Sequence, residues 1–103
     1  MIVTGREIVE RYFANRGGHK GTKAARLQFD AWLSIVDQAQ WRSPDEVKTS
    51  HPKASILKAR RVVFNIKGND YRLVTAVQYQ AGVVVIRFFG THAEYDEIDA
   101  ETV

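Results

Sequence analysis

Hydrophobic positions along this chain follow two periods, helical in the first half and alternating in the second. Ala25, Phe29, Trp32, Val36 and Ala39 step by four, three, four and three. That spacing places them on one face of a helix from about Thr22 to Gln40, with Arg26, Asp30 and Asp37 on other faces. Upstream, Ile8, Val9, Tyr12 and Phe13 also repeat at helical spacing. They follow Thr4-Gly5-Arg6-Glu7, a capping-box pattern in which the Thr hydroxyl takes an orphan N–H and the Glu reaches back. This first helix should end near Asn15-Arg16-Gly17-Gly18, because glycine tolerates the left-handed cap. Ser43-Pro44-Asp45-Glu46 reads as a second capping box, with proline where no N–H is needed. A short helix through Val47 and Lys48 should follow, broken by His51-Pro52.

From Arg61 the period changes to two. Val62, Phe64 and Ile66 face one side, and Arg61, Asn65 and Lys67 the other, with Val63 among them. Gly68-Asn69-Asp70 is a hairpin turn, Tyr71 to Tyr79 a strand, and Gln80-Ala81-Gly82 a second turn. Val83 to Phe89 is the most apolar run and reads as a central strand. Arg87 lies inside it, where a charge must be paired or must line a site. Thr91-His92-Ala93-Glu94 is a third capping box, opening a short helix through Tyr95 and Asp96. Asp99 to Val103 reads as a frayed end, and Ile2-Val3 as a possible extra strand. These elements predict one α+β domain over residues 1–103, with N-terminal helices on one face of a three-stranded antiparallel meander. The other face would stay open and carry Arg61, Asn65 and Lys67.

Composition narrows the class. The 103 residues are 45% hydrophobic and 26% charged, as in ordinary globular domains, and include no cysteine. Disulfide frameworks, cysteine zinc sites and thiol catalysis are therefore excluded. No apolar run approaches the length of a membrane span, and the first residues lack the apolar core of a signal peptide, so no membrane partner and a cytoplasmic setting are expected. Charge is unevenly spread. Residues 1–93 carry 15 bases against seven acids, a balance of +8, whereas Glu94, Asp96, Glu97, Asp99 and Glu101 follow with no base. A basic body with an acidic tail fits a polyanion partner, although a merely solvated basic face has the same signature.

No G-x-S-x-G, Walker A or G-x-G-x-x-G pattern is present, and the three histidines form no H-x-x-x-H. His92 and Asp96 have i, i+4 spacing, but two ligands are weak grounds for a metal, and no cofactor is expected. What remains is Lys67, Arg72, Arg87, His92 and Tyr95, grouped after one hairpin. RNA cleavage needs only such parts. A base takes the 2′-OH proton, a cation steadies the phosphate, and an acid protonates the leaving 5′ oxygen. His92 stands at a helix start, where free N–H groups favour a phosphate. Tyr71 and Tyr95 could stack on bases. Each residue also has an ordinary alternative: a surface histidine, a structural arginine pair, edge-strand charges, half-buried tyrosines.

Two long strings carry a resemblance. Arg61-Val62-Val63-Phe64-Asn65-Ile66-Lys67-Gly68-Asn69-Asp70-Tyr71-Arg72-Leu73-Val74 resembles the central motif of HigB-type toxins. Ile86-Arg87-Phe88-Phe89-Gly90-Thr91-His92-Ala93-Glu94-Tyr95-Asp96 resembles their C-terminal motif. Ala31-Trp32, Trp41 to Lys48 and Ala54-Ser55-Ile56 are similar to the family as well. The departure is Gly17–Gly21, a longer and looser link between helices than the family leads one to expect. The resemblance implies a RelE-like fold and a type II toxin–antitoxin module. It further implies an endoribonuclease that cuts mRNA on the translating ribosome, with a HigA-type helix-turn-helix antitoxin as partner and DNA contacted only through that antitoxin.

On that basis His92 is the expected proton-transfer residue, and Arg72 and Arg87 are expected on the scissile phosphate. Lys67 and Tyr95 would orient the RNA or aid proton transfer, beside Asn65 and Asn69. Lys58, Arg60 and Arg61 would add backbone contacts that weaken with salt. Two other readings use the same fold: a non-catalytic RNA or ribosome binder, and a protein-interaction module whose basic face meets an acidic partner.

Overall fold

A computed structural model describes residues 1–16 and 21–103 of the chain. The expected loose link at Gly17–Gly21 lies, apart from Gly21, outside the described residues. In chain order the elements are β1 (Ile2–Thr4), α1 (Arg6–Asn15), α2 (Thr22–Gln38), α3 (Pro44–Ser50), β2 (Ser55–Ile56), β3 (Arg61–Ile66), β4 (Tyr71–Gln78), β5 (Val83–Thr91) and α4 (His92–Tyr95). The strands form one mixed sheet in the order β1-β5-β4-β3-β2. The β3–β4–β5 meander is the expected one, and two short strands extend it. β1 pairs parallel to β5, and β2 pairs antiparallel to β3 through only two residue pairs.

The helical stripe of α2 is core as expected: Ala25, Phe29, Trp32 and Val36 are buried. They meet Val62, Phe64 and Ile66 of β3, Tyr71, Leu73 and Val77 of β4, and Val84, Ile86 and Phe89 of β5 in one cluster. The alternation read from the sequence thus holds on β3. The first capping box does not. α1 starts one residue later than a Thr4 cap requires, with Gly5 as N-cap at φ 84° and no side-chain cap bond. A Cβ on Gly5 would lie 2.6 Å from the Ile86 main-chain oxygen, so close packing of α1 on β5 demands glycine there. At α3 the Ser43 side chain makes no cap bond either; Glu46 instead accepts from the Arg42 N–H at 3.0 Å.

The second sheet face is not open. The acidic C-terminal segment folds back across it. Ala100 is buried with Val63 and Val74, and Leu57, Phe88, Tyr95, Ile98 and Val103 pack around them. The expectation of a frayed tail overlooked Ile98, Ala100 and Val103, whose apolar surface has this strip of sheet to cover. A bulge shapes the strip. Val74 pairs with Phe88 and Thr75 with Ile86, leaving Arg87 as the extra residue on β5. Buried Thr75 satisfies its hydroxyl by donating to the Val62 carbonyl at 2.9 Å.

Candidate nucleic-acid site

The β3–β4 turn and the start of α4 come together at one end of the sheet. Tyr71 pairs with Thr91 at the last rung of β4 and β5. The turn is therefore adjacent to His92 by construction, and the His92 N–H donates to the Asp70 carbonyl at 3.1 Å. Between them lies an open cleft of about 530 Å³, lined by Lys67, Asn69, Asp70, Tyr71, Thr91, His92 and Ala93. Lys67 takes a left-handed backbone conformation, φ 55°, that non-glycine residues adopt at a cost of roughly 1–3 kcal/mol. Its N–H donates to Gln28 Oε1 at 2.9 Å, which ties the turn to α2. Its ammonium lies 3.2 Å from Asp70 Oδ2. Across the cleft, His92 is exposed, and its Nε2 is 3.5 Å from Asp96 Oδ1.

Arg72 stands opposite Asn65 on β3 and Gly90 on β5. Its guanidinium curls back over the turn, donating to the Asn69 carbonyl at 2.9 Å and the Tyr71 carbonyl at 3.3 Å. Lys67, Asn69, Arg72 and His92 therefore share one end of the molecule, with Asn65 beside them.

The remaining candidates are elsewhere. Arg87 is four residues before Thr91, about 13 Å along the strand. It is exposed on the bulge rather than buried in an apolar strand, and its Nε donates to the Val103 main-chain oxygen at 3.1 Å. Arg61 donates to that same oxygen at 2.8 Å, so the tail joins two arginines expected to meet RNA. Arg60 is at the far end of β3, bound to Gln78 Oε1 at 2.6 Å, and Lys58 is exposed next to it, with its N–H on Glu101. Tyr95 packs against the second cluster. Tyr71 is a core residue, stacked on Phe89 with ring centroids 5.4 Å apart, and is not free to stack on a base. The convergence of five residues after one hairpin thus reduces to Lys67, Arg72 and His92, because the bulge and the tail take Arg87 and Tyr95 to the second face.

Two residues outside the expected site support it: Glu94, expected only as the capping partner of Thr91, and His51. Glu94 anchors α4. The capping box is complete: Glu94 N–H donates to Thr91 Oγ1 at 3.1 Å, and Thr91 N–H donates to Glu94 Oε1 at 2.8 Å. The same carboxylate accepts from Tyr12 O–H at 2.8 Å and pairs with Arg16 at 2.7 Å. Burial pushes the Glu94 carboxyl up, but these hydrogen bonds and the Arg16 charge outweigh it and hold it below its ordinary range. Tyr12 is pushed upward, first by burial and then by its bond to Glu94. The only signal of this in sequence was the Glu at the third helical position. With one N–H on Asp70 and another on Thr91, and only four residues, α4 is not the phosphate-binding helix end that its sequence position implies. The second residue is His51, read only as a helix breaker. Its ring is edge-on to Phe64 and to Trp41, at 5.1 and 5.7 Å, and burial lowers its pKa from 6.5. Among the described residues, no three His, Cys, Asp or Glu side chains are grouped to hold a metal ion.

Helices packed on one face of a small mixed sheet, with a polar cleft at the hairpin end, define an α+β protein of the RelE-like kind. The family profile for HigB toxins, the RelE-like toxic component of a toxin–antitoxin system, matches residues 25–98. The chain belongs to that family, and an antitoxin is its implied partner. No curated protein matches it. Among the described residues, no helix is long and apolar enough to cross a membrane.

Proposed function

We propose that the protein is a metal-independent mRNA endoribonuclease of a type II toxin–antitoxin system, acting on translating ribosomes in the cytoplasm as a single RelE-like domain. Its antitoxin is then a HigA-type helix-turn-helix protein, through which alone it meets DNA. The observation that carries this reading is the cleft that sets Lys67 opposite His92, with the Arg72 guanidinium over the same turn. Membership of a toxin family supports it.

In this reading the RNA backbone enters the open cleft. Its 2′-OH is the nucleophile, so positioning replaces a protein nucleophile. Lys67 and Arg72 neutralise the charge that gathers on the phosphate, once Asp70 yields the lysine to it. As the 2′ oxygen bonds to phosphorus, the P–O5′ bond breaks. His92, oriented by Asp96, moves the proton that the 2′-OH loses and the departing 5′ oxygen gains. Arg61 and Arg87 act further along the backbone, on the second face, and Tyr95 holds α4 against the sheet. Lys58 and Arg60 add contacts at the far end.

The test is induced expression of wild type, Lys67→Ala, Arg72→Ala and His92→Ala in a bacterial host, with growth and mRNA 5′ ends as readouts. The expected result is arrest with new ends for wild type, and cleavage reduced roughly 100-fold or more in His92→Ala. Unchanged cleavage by a folded His92→Ala would remove that residue from the mechanism. Arrest by wild type without new ends would replace the nuclease with a non-catalytic ribosome binder.

A further inference from the structure

The hairpin turn has a second flank. Gly68 also lines a separate cavity of about 390 Å³, formed with residues 50–54, Phe64 and Asn65. It exists because β2 is so short. β2 covers only Val62 and Val63, so β3 from Phe64 onward has no strand beside it on that side. The chain leaving α3 crosses there instead. That crossing is pinned: Lys48 Nζ donates to the Pro52 carbonyl at 2.6 Å and the Ala54 carbonyl at 2.9 Å, and Ala54 N–H donates to the His51 carbonyl at 3.0 Å.

The lining is mostly apolar with few polar groups, the usual make-up of a small-molecule site. Two of those polar groups are unspent. The Asn65 amide has no partner among the described residues, and it offers a donor and an acceptor from one plane. His51 has its Nδ1 3.0 Å from Ser50 Oγ. The Ser50 hydroxyl donates to the Val47 carbonyl at 3.2 Å, so it accepts Nδ1–H and leaves Nε2 as the acceptor. Burial of His51 keeps the ring neutral at physiological pH, consistent with that tautomer. Lys53 is part of the lining, and Lys67, the residue before Gly68, lines the neighbouring cleft; this positive charge favours an anionic molecule over an apolar peptide. Asn65 is also the cross-strand partner of Arg72, one rung from the cleft on the other flank.

We propose that this cavity is a nucleobase subsite: it takes one unstacked base of the RNA whose backbone occupies the Lys67–His92 cleft, and Asn65 reads the edge of that base. An amide is suited to the task because base edges present adjacent donors and acceptors. Phe64 and Pro52 supply the apolar walls, and His51 Nε2 accepts from an exocyclic amine. The subsite deepens the nuclease reading and rests on it for its place beside a scissile phosphate.

The test has two arms. In the first, isotope-labelled protein is titrated with the four nucleoside 3′-monophosphates and with inorganic phosphate alone, following the Asn65 side-chain amide and the Gly68 N–H. Nucleotides should shift both signals; phosphate should shift only Lys67 and His92. Asn65→Leu should weaken the nucleotide effect roughly tenfold, and Asn65→Gln less. Nucleotides that behave like phosphate overturn the subsite. In the second arm, mRNA ends made by wild type and folded Asn65→Leu are compared. Relaxed base preference at one position beside the cut is expected. Unchanged preference overturns the subsite and leaves the nuclease standing, whereas no cutting by wild type overturns the nuclease and leaves the first arm to decide the cavity. Protection of Asn65 by an antitoxin segment, with no nucleotide effect, would reassign the cavity to the protein partner.

Discussion

Glu94→Ala should destabilise the protein measurably although the residue lies outside its apolar core. The carboxylate accepts the Thr91 N–H and the Tyr12 O–H, both at 2.8 Å, and pairs with Arg16 at 2.7 Å. Two hydrogen bonds to a partly exposed carboxylate contribute about 1 kcal/mol each. The Arg16 pair adds less than about 1 kcal/mol, because both side chains are more than a third exposed and water screens them. The total is about 2–3 kcal/mol, equivalent in a domain of this size to roughly 10–20 °C in melting temperature. Glu94→Gln can keep the oxygen that accepts both hydrogen bonds and loses the Arg16 pair, so it should lose less than half of that.

The pH dependence gives an independent check. The folded-state pKa of Glu94 lies below its ordinary value of 4.5. Its contribution is therefore fully present above pH 4.5 and is lost as pH falls through the lower folded value. A glutamine has no such dependence. Urea unfolding of wild type and Glu94→Gln at several pH values should show a stability gap that is constant from pH 7 to about 5 and closes below 4.5. A gap that persists unchanged at pH 3, or a Glu94→Ala midpoint within about 3 °C of wild type, would refute the idea that this carboxylate ties α1 to α4.

Three further outcomes follow from the same contacts. Burial and the bond to Glu94 raise the Tyr12 pKa above 10.0, so stability is present below pH 10 and falls above it; Tyr12→Phe should flatten that alkaline slope in chemical unfolding. Because the folded pKa of His51 is below 6.5, its neutral ring supports the fold above pH 6.5 and ceases to as pH falls; His51→Phe should reduce the slope of stability between pH 7 and 5, and an unchanged slope would place the effect elsewhere. Removing residues 100–103 takes Ala100 and Val103 from the second cluster and the shared oxygen from Arg61 and Arg87. Melting temperature should drop by several degrees, while RNA affinity at low salt should rise with a steeper salt slope; affinity that stays the same would mean the tail does not compete for those arginines.

The parts of the fold legible in the sequence were those where burial imposes a period. Phe29, Trp32 and Val36 announce α2, and Val62, Phe64 and Ile66 announce β3, because each set must reach the same core. β1 and β2 are two or three residues long and have no room to show a period. Their existence depends on distant partners: β1 on the parallel edge of β5, β2 on the outer edge of β3. Gly5 illustrates the same limit. The Thr4 capping pattern is locally sound, yet the approach of Ile86 across the sheet moves the cap by one residue. Local rules gave way where tertiary contact set the position.

The candidate site was legible to the extent that it lies next to a turn. Lys67, Asn69 and Arg72 are neighbours in sequence, and a meander must return β5 to the same end, which brings His92 to them. Arg87 shows why the inference stopped there. In a regular strand an arginine between Ile86 and Phe88 has one neighbour on each side and must face core or solvent by parity. The bulge breaks that parity, puts Arg87 and Phe88 on the second face together, and hands the guanidinium to a tail whose acids suggested solvent rather than packing. His51 was hidden for a related reason. Its surroundings, Trp41 and Phe64, are 10 and 13 residues away and belong to no shared motif. A cavity bordered by a strand that ends early is a property of register, and register is set by pairings that no single segment carries. If base selection by this toxin resides in that cavity, its specificity is encoded in the length of β2 as much as in Asn65. Extending the β2 pairing past Ser55, by substituting residues 52–54 with strand formers, should then close the cavity and abolish base preference without touching the Lys67–His92 cleft.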